Sequence, residues 1–355
     1  MKKQKNKFLV CLLLIVGFVV SPAANLPAQA LVSSSDRLLS SEVQALFVND
    51  TKTLFVDKEF KQVQLFDVHT GKVEWTKKFG AVYDCEVLLG SGKIVVLTDS
   101  GRQLQKQVFT TAGKVVSTQN LPGIKKTDAS QIQWSAAGAA AKESIAVTDG
   151  QQLSLYQYPW KKPVQSLSLA TSEDQKHENA IVQDVQFQFP YVIAKVNGMS
   201  LGQTKEYYKI MNVTTRQLKL ITPGSNARSS FVTEGTALVV NTSSISGTPL
   251  GIETNTPQIL YARYDLHTGQ MTKSLKRTFT QSDSNWSSSY FAGRLLLTDT
   301  EKNKQSFLAQ DGKLIAERSS TPTHLRDKLI ASADGKAVIL VPTANQGTEL
   351  QKPFY

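Results

Sequence analysis

Cysteine is almost absent: two occur in 355 residues, Cys11 in an apolar N-terminal run and Cys85 in the body of the chain. That excludes a disulfide framework and any thiolate-rich zinc or iron–sulfur site. The four histidines, His69, His177, His267 and His324, show no HxH or HxxxH spacing, so no pair is pre-set to hold zinc from one element. No GxSxG stands in the chain to mark a serine nucleophile. The acidic stretch Ser172 to Glu178 lacks the DxDxDG turn that orders a loop around calcium and reads as a solvated loop. Helical periodicity is missing too. The nearest candidate, Ala136 to Lys142, is broken by Gly138 and falls short of the ~12 residues at which isolated helices become marginal. After the first twenty residues no long apolar run recurs, so nothing further along reads as a bilayer-spanning helix.

What is present begins with an address. Met1 to Lys7 is cationic, Phe8 to Val20 is apolar, and Ala28-Gln29-Ala30 places small residues where a signal peptidase reads. Thirteen apolar residues are short of the roughly 20 that cross a bilayer as a helix. The expectation is a signal peptide over 1–30 and a single secreted domain over 31–355, with a retained anchor as the rival. Val10 stands before Cys11 where a lipid-attachment site needs a small residue, so lipidation is not expected. Removing Lys2, Lys3, Lys5 and Lys7 from the net charge of +11 leaves +7. The lysine-rich leader and cysteine-poor remainder look like an exported Gram-positive protein. Cys85, on an apolar stretch with no histidine near it, reads as a buried, inert thiol.

From about Val43 to Pro342 short apolar runs alternate with Gly, Asp, Asn, Ser and Thr, which is a pattern of strands and turns. Seven strong runs stand out: 53–56, 93–98, 144–147, 191–195, 237–240, 294–298 and 337–341. Spacing of about 40 to 57 residues points to a repeat architecture. A polar turn follows each run. Leu65 to Val73 (LFDVHTGKV) nearly duplicates Arg263 to Met271 (RYDLHTGQM), and looser copies lie at 109–115, 211–217 and 308–314. A degenerate copy at 156–164 carries a proline pair in place of the glycine. Gly71 and Gly269 suit positive φ, and Asp67, Asp265, Thr70 and Thr268 suit side-chain closure of a hairpin turn.

These residues resemble the turn of the quinoprotein-type propeller repeat, in which an Asp-x-x-Thr-Gly-Lys-x-x-Trp phrase joins the outer strands of a blade. Asp67, Thr70, Gly71, Lys72 and Trp75 match it, and Asp265, Thr268 and Gly269 match in part. The resemblance implies an all-β fold, a β-propeller of four-stranded antiparallel blades that must pack around an axis. Six complete units read as 43–79, 82–121, 131–169, 182–221, 229–279 and 285–319. A seventh begins at 324–341, its missing strand supplied by 31–39, so seven blades are expected, with six or eight compatible. The intervals 170–182, 198–205 and 242–258 read as loops carried on one face.

The resemblance leads first to quinone-dependent dehydrogenases. Their vicinal cysteine pair and calcium-holding carboxylates have no counterpart here, so no cofactor and no metal is expected. Asp84, Glu86, Asp128, Asp184 and Asp283 begin or precede the innermost strands and are placed near the axis. Trp160, flanked by Pro159, Lys161 and Lys162, reads as an exposed aromatic beside a basic pair that would stack on a sugar or clamp a peptide. The other tryptophans read as blade packing. The reading is a non-enzymatic, monomeric binding or scaffold protein of the cell envelope, acting through its loop face and channel mouth. Its partner would be an envelope protein or an anionic wall polymer, with no role for nucleic acid. The alternatives are an extracellular polysaccharide hydrolase or lyase using carboxylates near the axis, and a membrane-anchored assembly factor that works by edge-strand addition.

Overall fold

The computed structural model describes residues 43–88, 91–101, 103–125, 131–136, 143–200, 203–223, 228–243, 257–278, 286–291, 293–299, 302–319, 328–331 and 338–341. The expected signal peptide lies outside the described residues. Six four-stranded antiparallel sheets follow one another along the chain. Blade 1 is β1 (Val43–Phe47), β2 (Lys52–Asp57), β3 (Gln62–Asp67) and β4 (Lys72–Lys78). Blade 2 is β5 (Val82–Leu88), β6 (Lys93–Asp99), β7 (Leu104–Thr110) and β8 (Val115–Asn120). Blade 3 is β9 (Gln131–Ala136), β10 (Glu143–Asp149), β11 (Gln152–Gln157) and β12 (Pro163–Ser168). Blade 4 is β13 (Asn179–Gln188), β14 (Tyr191–Ser200), β15 (Gln203–Asn212) and β16 (Gln217–Ile221). Blade 5 is β17 (Arg228–Glu234), β18 (Ala237–Ser243), β19 (Pro257–Asp265) and β20 (Met271–Thr278). Blade 6 is β21 (Trp286–Phe291), β22 (Arg294–Asp299), β23 (Lys304–Ala309) and β24 (Leu314–Ser319). The chain is a β-propeller.

The strong apolar runs are the second strands. In the six blades each is buried on both faces because its blade is held between two others, so it reads as a continuous apolar run instead of an alternating one; the seventh run falls on the two-stranded hairpin described below. In β6, Ile94 and Val96 join the core shared with blade 1, while Val95 and Leu97 join the core shared with blade 3. In β14, Val192 and Ala194 face blade 3 and Ile193 faces blade 5. Period-two alternation therefore feeds two interfaces from one strand.

The blade count is corrected to six. Beyond β24 the described chain holds a two-stranded hairpin, β25 (Lys328–Ala331) with β26 (Val338–Val341), beside β21 and β22. Phe291 at the end of β21 already packs on the Val43, Phe55, Phe66 and Val68 cluster of blade 1, which links blade 6 to blade 1 directly. Residues 31–39, the expected closing strand, lie outside the described residues.

The third-to-fourth strand turns share one design. Each holds one residue at positive φ, namely Gly71, Gly113, Trp160, Arg216, Gly269 and Gly312. Asp67 accepts the Thr70 N–H at 2.8 Å and Asp265 accepts the Thr268 N–H at 2.6 Å, as the sequence suggested. In the degenerate copy the left-handed position falls to Trp160, not to the proline pair. These turns lie at the end of the blades opposite the second-to-third strand turns.

Candidate functional site

Asp84 and Asp184 both lie on the first strands of their blades, Asp84 third in β5 and Asp184 sixth in β13, so Asp184 does not begin its strand. Asp84 on β5 is buried and accepts the Trp134 backbone N–H at 2.6 Å, tying blade 2 to blade 3. Asp184 on β13 is open to solvent and caps its own strand by accepting the Val185 N–H at 2.9 Å. Glu86 is half-buried two residues beyond Asp84 on the same face of β5. Lys58, exposed in the β2–β3 turn of blade 1, is the cation whose field reaches both Asp84 and Asp184. The structure therefore brings three carboxyl groups and one lysine to the mouth of the channel. Asp128 and Asp283 lie outside the described residues.

Desolvation dominates this group. It raises Asp84 to about 6, against the pull of the Trp134 N–H, of Lys58 and of the Cys85 N–H. Burial and the neighbouring Asp84 charge push Glu86 well above the usual carboxylate range. Asp184, though its side chain reaches solvent, is raised by the protein crowded around it, with Lys58, the Val185 N–H and Lys195 opposing. Cys85 is a free, buried thiol held well above its ordinary value by burial and by the Asp84 and Glu86 charges, so it is not a nucleophile. Among the described residues no group of three or more His, Cys, Asp or Glu side chains is arranged to hold a metal ion.

Beside the mouth rises a ribbon. β13, β14 and β15 each run ten residues, against six or seven in the second and third strands of blades 1, 2, 3 and 6. The extra length corresponds to about 10 Å at roughly 3.4 Å per residue. It projects at the same end as the Lys58 turn, because both are second-to-third strand connections. Residues 179–182, 198–200 and 203–205 are strand, which corrects their assignment to loops. Asn179 pairs with Met199, Gly198 with Lys205 and Ser200 with Gln203.

One face of the ribbon is covered by residues 171–178, the stretch expected to be solvated. For the stretch Ser172 to Glu178 that expectation fails at Glu173 and Asp174, which are both buried, while Ser172, Gln175, Lys176 and Glu178 are exposed. One Asp174 oxygen accepts the Thr171 N–H at 2.6 Å, its hydroxyl at 2.9 Å and Lys209 Nζ at 2.8 Å. The other accepts the Tyr207 hydroxyl and lies 2.7 Å from Lys209 Nζ. Burial works to raise Asp174, but the bonds from Lys209, Tyr207 and Thr171 outweigh it and hold the carboxyl below its usual range. Hydrogen bonds from Lys176 and Lys205 bring Glu173 down to about 2. His177 stacks on Tyr207 with ring centres 5.7 Å apart. Only glycine fits at 198, since a Cβ there would lie 2.4 Å from the His177 ring.

The opposite face of the ribbon is fixed at its base. Lys195 pairs with Glu206 at 3.0 Å, and Glu206 accepts the Ser229 N–H of blade 5 at 2.7 Å. Above that base Ile181 and Met199 share one face by register and are 43% and 46% exposed.

Trp160 is not an exposed aromatic. It is 1% exposed, packed between blades 2 and 3 with Leu104, Leu121, Trp134 and Ile145, and Lys106 Nζ lies 5.8 Å from its ring centre. Its turn leans onto the preceding blade, where its carbonyl accepts the Gly123 N–H at 2.8 Å. Lys161 and Lys162 remain exposed. Trp134 and Trp286 are buried blade-packing residues, and the Trp75 indole donates to the Thr111 carbonyl at 2.8 Å.

No protein-family model and no curated protein matches the sequence. Solved structures do. Hydrazine synthase of Kuenenia stuttgartiensis aligns over 92% of this chain and 99% of its own, at 11% identity and a TM-score of 0.52. The β-propeller domain of Cps50 (Swd1), whose source is printed as Myceliophteria thermophila, aligns over 90% and 97% at 9% identity, TM-score 0.53. A streptogramin B lyase aligns over 90% and 95% at 11% identity, TM-score 0.52. At such identities the likeness concerns fold alone, and the fold it supports is the β-propeller.

Proposed function

We propose that this chain is a secreted, non-catalytic propeller of the quinoprotein-like type that binds a protein partner of the cell envelope. The binding face is the end that carries the channel mouth and the blade 4 ribbon. One observation carries the reading: the ribbon projects beyond the β10–β11 hairpin of blade 3 and is braced by the buried Asp174–Lys209 ion pair, yet leaves Ile181 and Met199 exposed. A buried ion pair is weak evidence for stability and stronger evidence for a specified shape. A rigid, partly apolar projection beside a concave mouth is the form of a recognition surface. The exposed aliphatic side chains of Ile181 and Met199 offer nothing to an anionic wall polymer, which favours a protein.

The test substitutes Ile181→Asp and Met199→Asp and follows recovery of envelope proteins on a tagged bait. The expected result is loss of a discrete partner with the melting temperature unchanged. Recovery identical to the unsubstituted protein would contradict the reading. The fold leaves chemistry open, since a lyase shares it. An extracellular polysaccharide hydrolase or lyase draws support from Asp84, poised at about 6 beside Glu86. Loss of a polysaccharide-cleaving activity on Asp84→Asn would establish that reading instead.

A further inference from the structure

The end opposite the channel mouth carries a repeated feature. Val115, Val164, Leu220, Met271 and Leu314 lie within the first four residues of the outermost strands of blades 2 to 6. They are 41% to 58% exposed. A single exposed aliphatic residue needs no explanation. Recurrence near the start of the outermost strand in five blades does, because edge strands are normally blunted by charge.

Each of these residues has an exposed cation within four positions: Lys114, Lys162, Arg216, Lys273 and Lys313 in turn. None of the five is in an ion pair with a described residue. The acids of the same turns are occupied by backbone: Asp265 closes its own turn, and Asp311 accepts the Lys313 N–H at 3.0 Å. Val115, Met271 and Leu314 open their strands, Val164 is second and Leu220 fourth, so the five pairs form a band about 10 Å deep at this end, at roughly 3.4 Å per residue.

We propose that this band seats the protein on an anionic lipid bilayer. The aliphatic side chains enter the boundary between headgroups and acyl chains while the cations lie among the phosphates. A band at one end of the propeller meets a planar surface at several points, and weak contacts engaged together multiply. A lipid-free anionic polymer would use the cations but gain nothing from the aliphatic positions. The channel mouth and the ribbon then face away from the membrane.

Co-sedimentation of the full chain with phosphatidylcholine vesicles, and with equal mixtures of phosphatidylcholine and phosphatidylglycerol, tests the band. Neutralising Lys114, Lys162, Lys273 and Lys313 together to Gln is expected to cut the preference for anionic vesicles at least tenfold, at about 1 kcal/mol per cation near such a surface. The N-terminal lysines and apolar run are common to both proteins and cancel. Val164→Ser, Met271→Ser and Leu314→Ser together are expected to weaken the binding that survives high salt. Unchanged binding by both variants, or full competition by lipid-free polyglycerol phosphate, overturns the proposal. An environment-sensitive dye at Leu314→Cys in a Cys11→Ser background is expected to shift to the blue on anionic vesicles. The same dye at Lys58→Cys, on the opposite end, is expected not to shift, and a shift at Lys58 alone refutes the orientation.

Discussion

Replacing Asp84 by Asn removes a charge that folding must desolvate while keeping an acceptor for the Trp134 N–H. The folded carboxyl titrates at about 6 against 3.8 for the free group. A raised carboxylate binds more protons in the native state, so its contribution to stability is present below the unfolded value and is lost as pH rises through 6. Above that range the wild-type protein carries the whole cost, about 3 kcal/mol for a shift of this size. Asn, neutral like the protonated acid, escapes that cost, so the substitution is expected to stabilise by about 3 kcal/mol at pH 8, a rise of about 6 °C in Tm for a domain of this size. At pH 4, where Asp84 is protonated in the folded protein, the two proteins should melt together. Thermal melts by circular dichroism at both pH values decide the matter. A variant that is less stable than wild type by the same amount at both would show that desolvation does not govern this site.

Other outcomes follow from the ribbon and the blade interfaces. Asp174→Ala leaves Lys209 buried without its partner and should cost about 3 to 5 kcal/mol by denaturant titration, with Asp174→Leu combined with Lys209→Met recovering part of the loss. Glu173 is held at about 2 against 4.5 for the free group, so its stabilisation is present above 4.5 and lost as pH falls towards 2. Glu173→Gln should therefore melt below wild type at pH 7 and level with it at pH 2. Gly123→Ala would bring a Cβ to 2.3 Å from the Trp160 and Lys161 carbonyl oxygens, and should destabilise by about 1 to 3 kcal/mol in the same titration.

The blades were legible because their second strands are buried on both faces and their outer turns repeat a backbone requirement. Units read at 43–79 and 82–121 are observed as strands spanning 43–78 and 82–120. The turn at 156–164 was placed correctly without its glycine, but the tenant of its left-handed position was not. Hydrophobic and basic neighbours on the chain do not say which way an aromatic points, and Trp160 turns inward because the turn leans on blade 2. The ribbon was missed for a related reason. Apart from Met199, its β14 residues beyond Val196 are polar or glycine, and the partner that buries Asp174 is Lys209, thirty-five residues away on a different strand. Asp84 and Asp184 were placed near the axis by their position on the inner strands, whereas their shared lysine, Lys58, comes from another blade's turn and left no local trace.

The central claim, that the ribbon end of the propeller is the recognition face, is tested most directly by site-specific photo-crosslinking in intact cells. A photoreactive side chain at Met199 is expected to capture one discrete envelope protein, and the same group at Tyr158, in a third-to-fourth strand turn at the opposite end, is expected to capture none. Capture from Tyr158 without capture from Met199 would contradict the account.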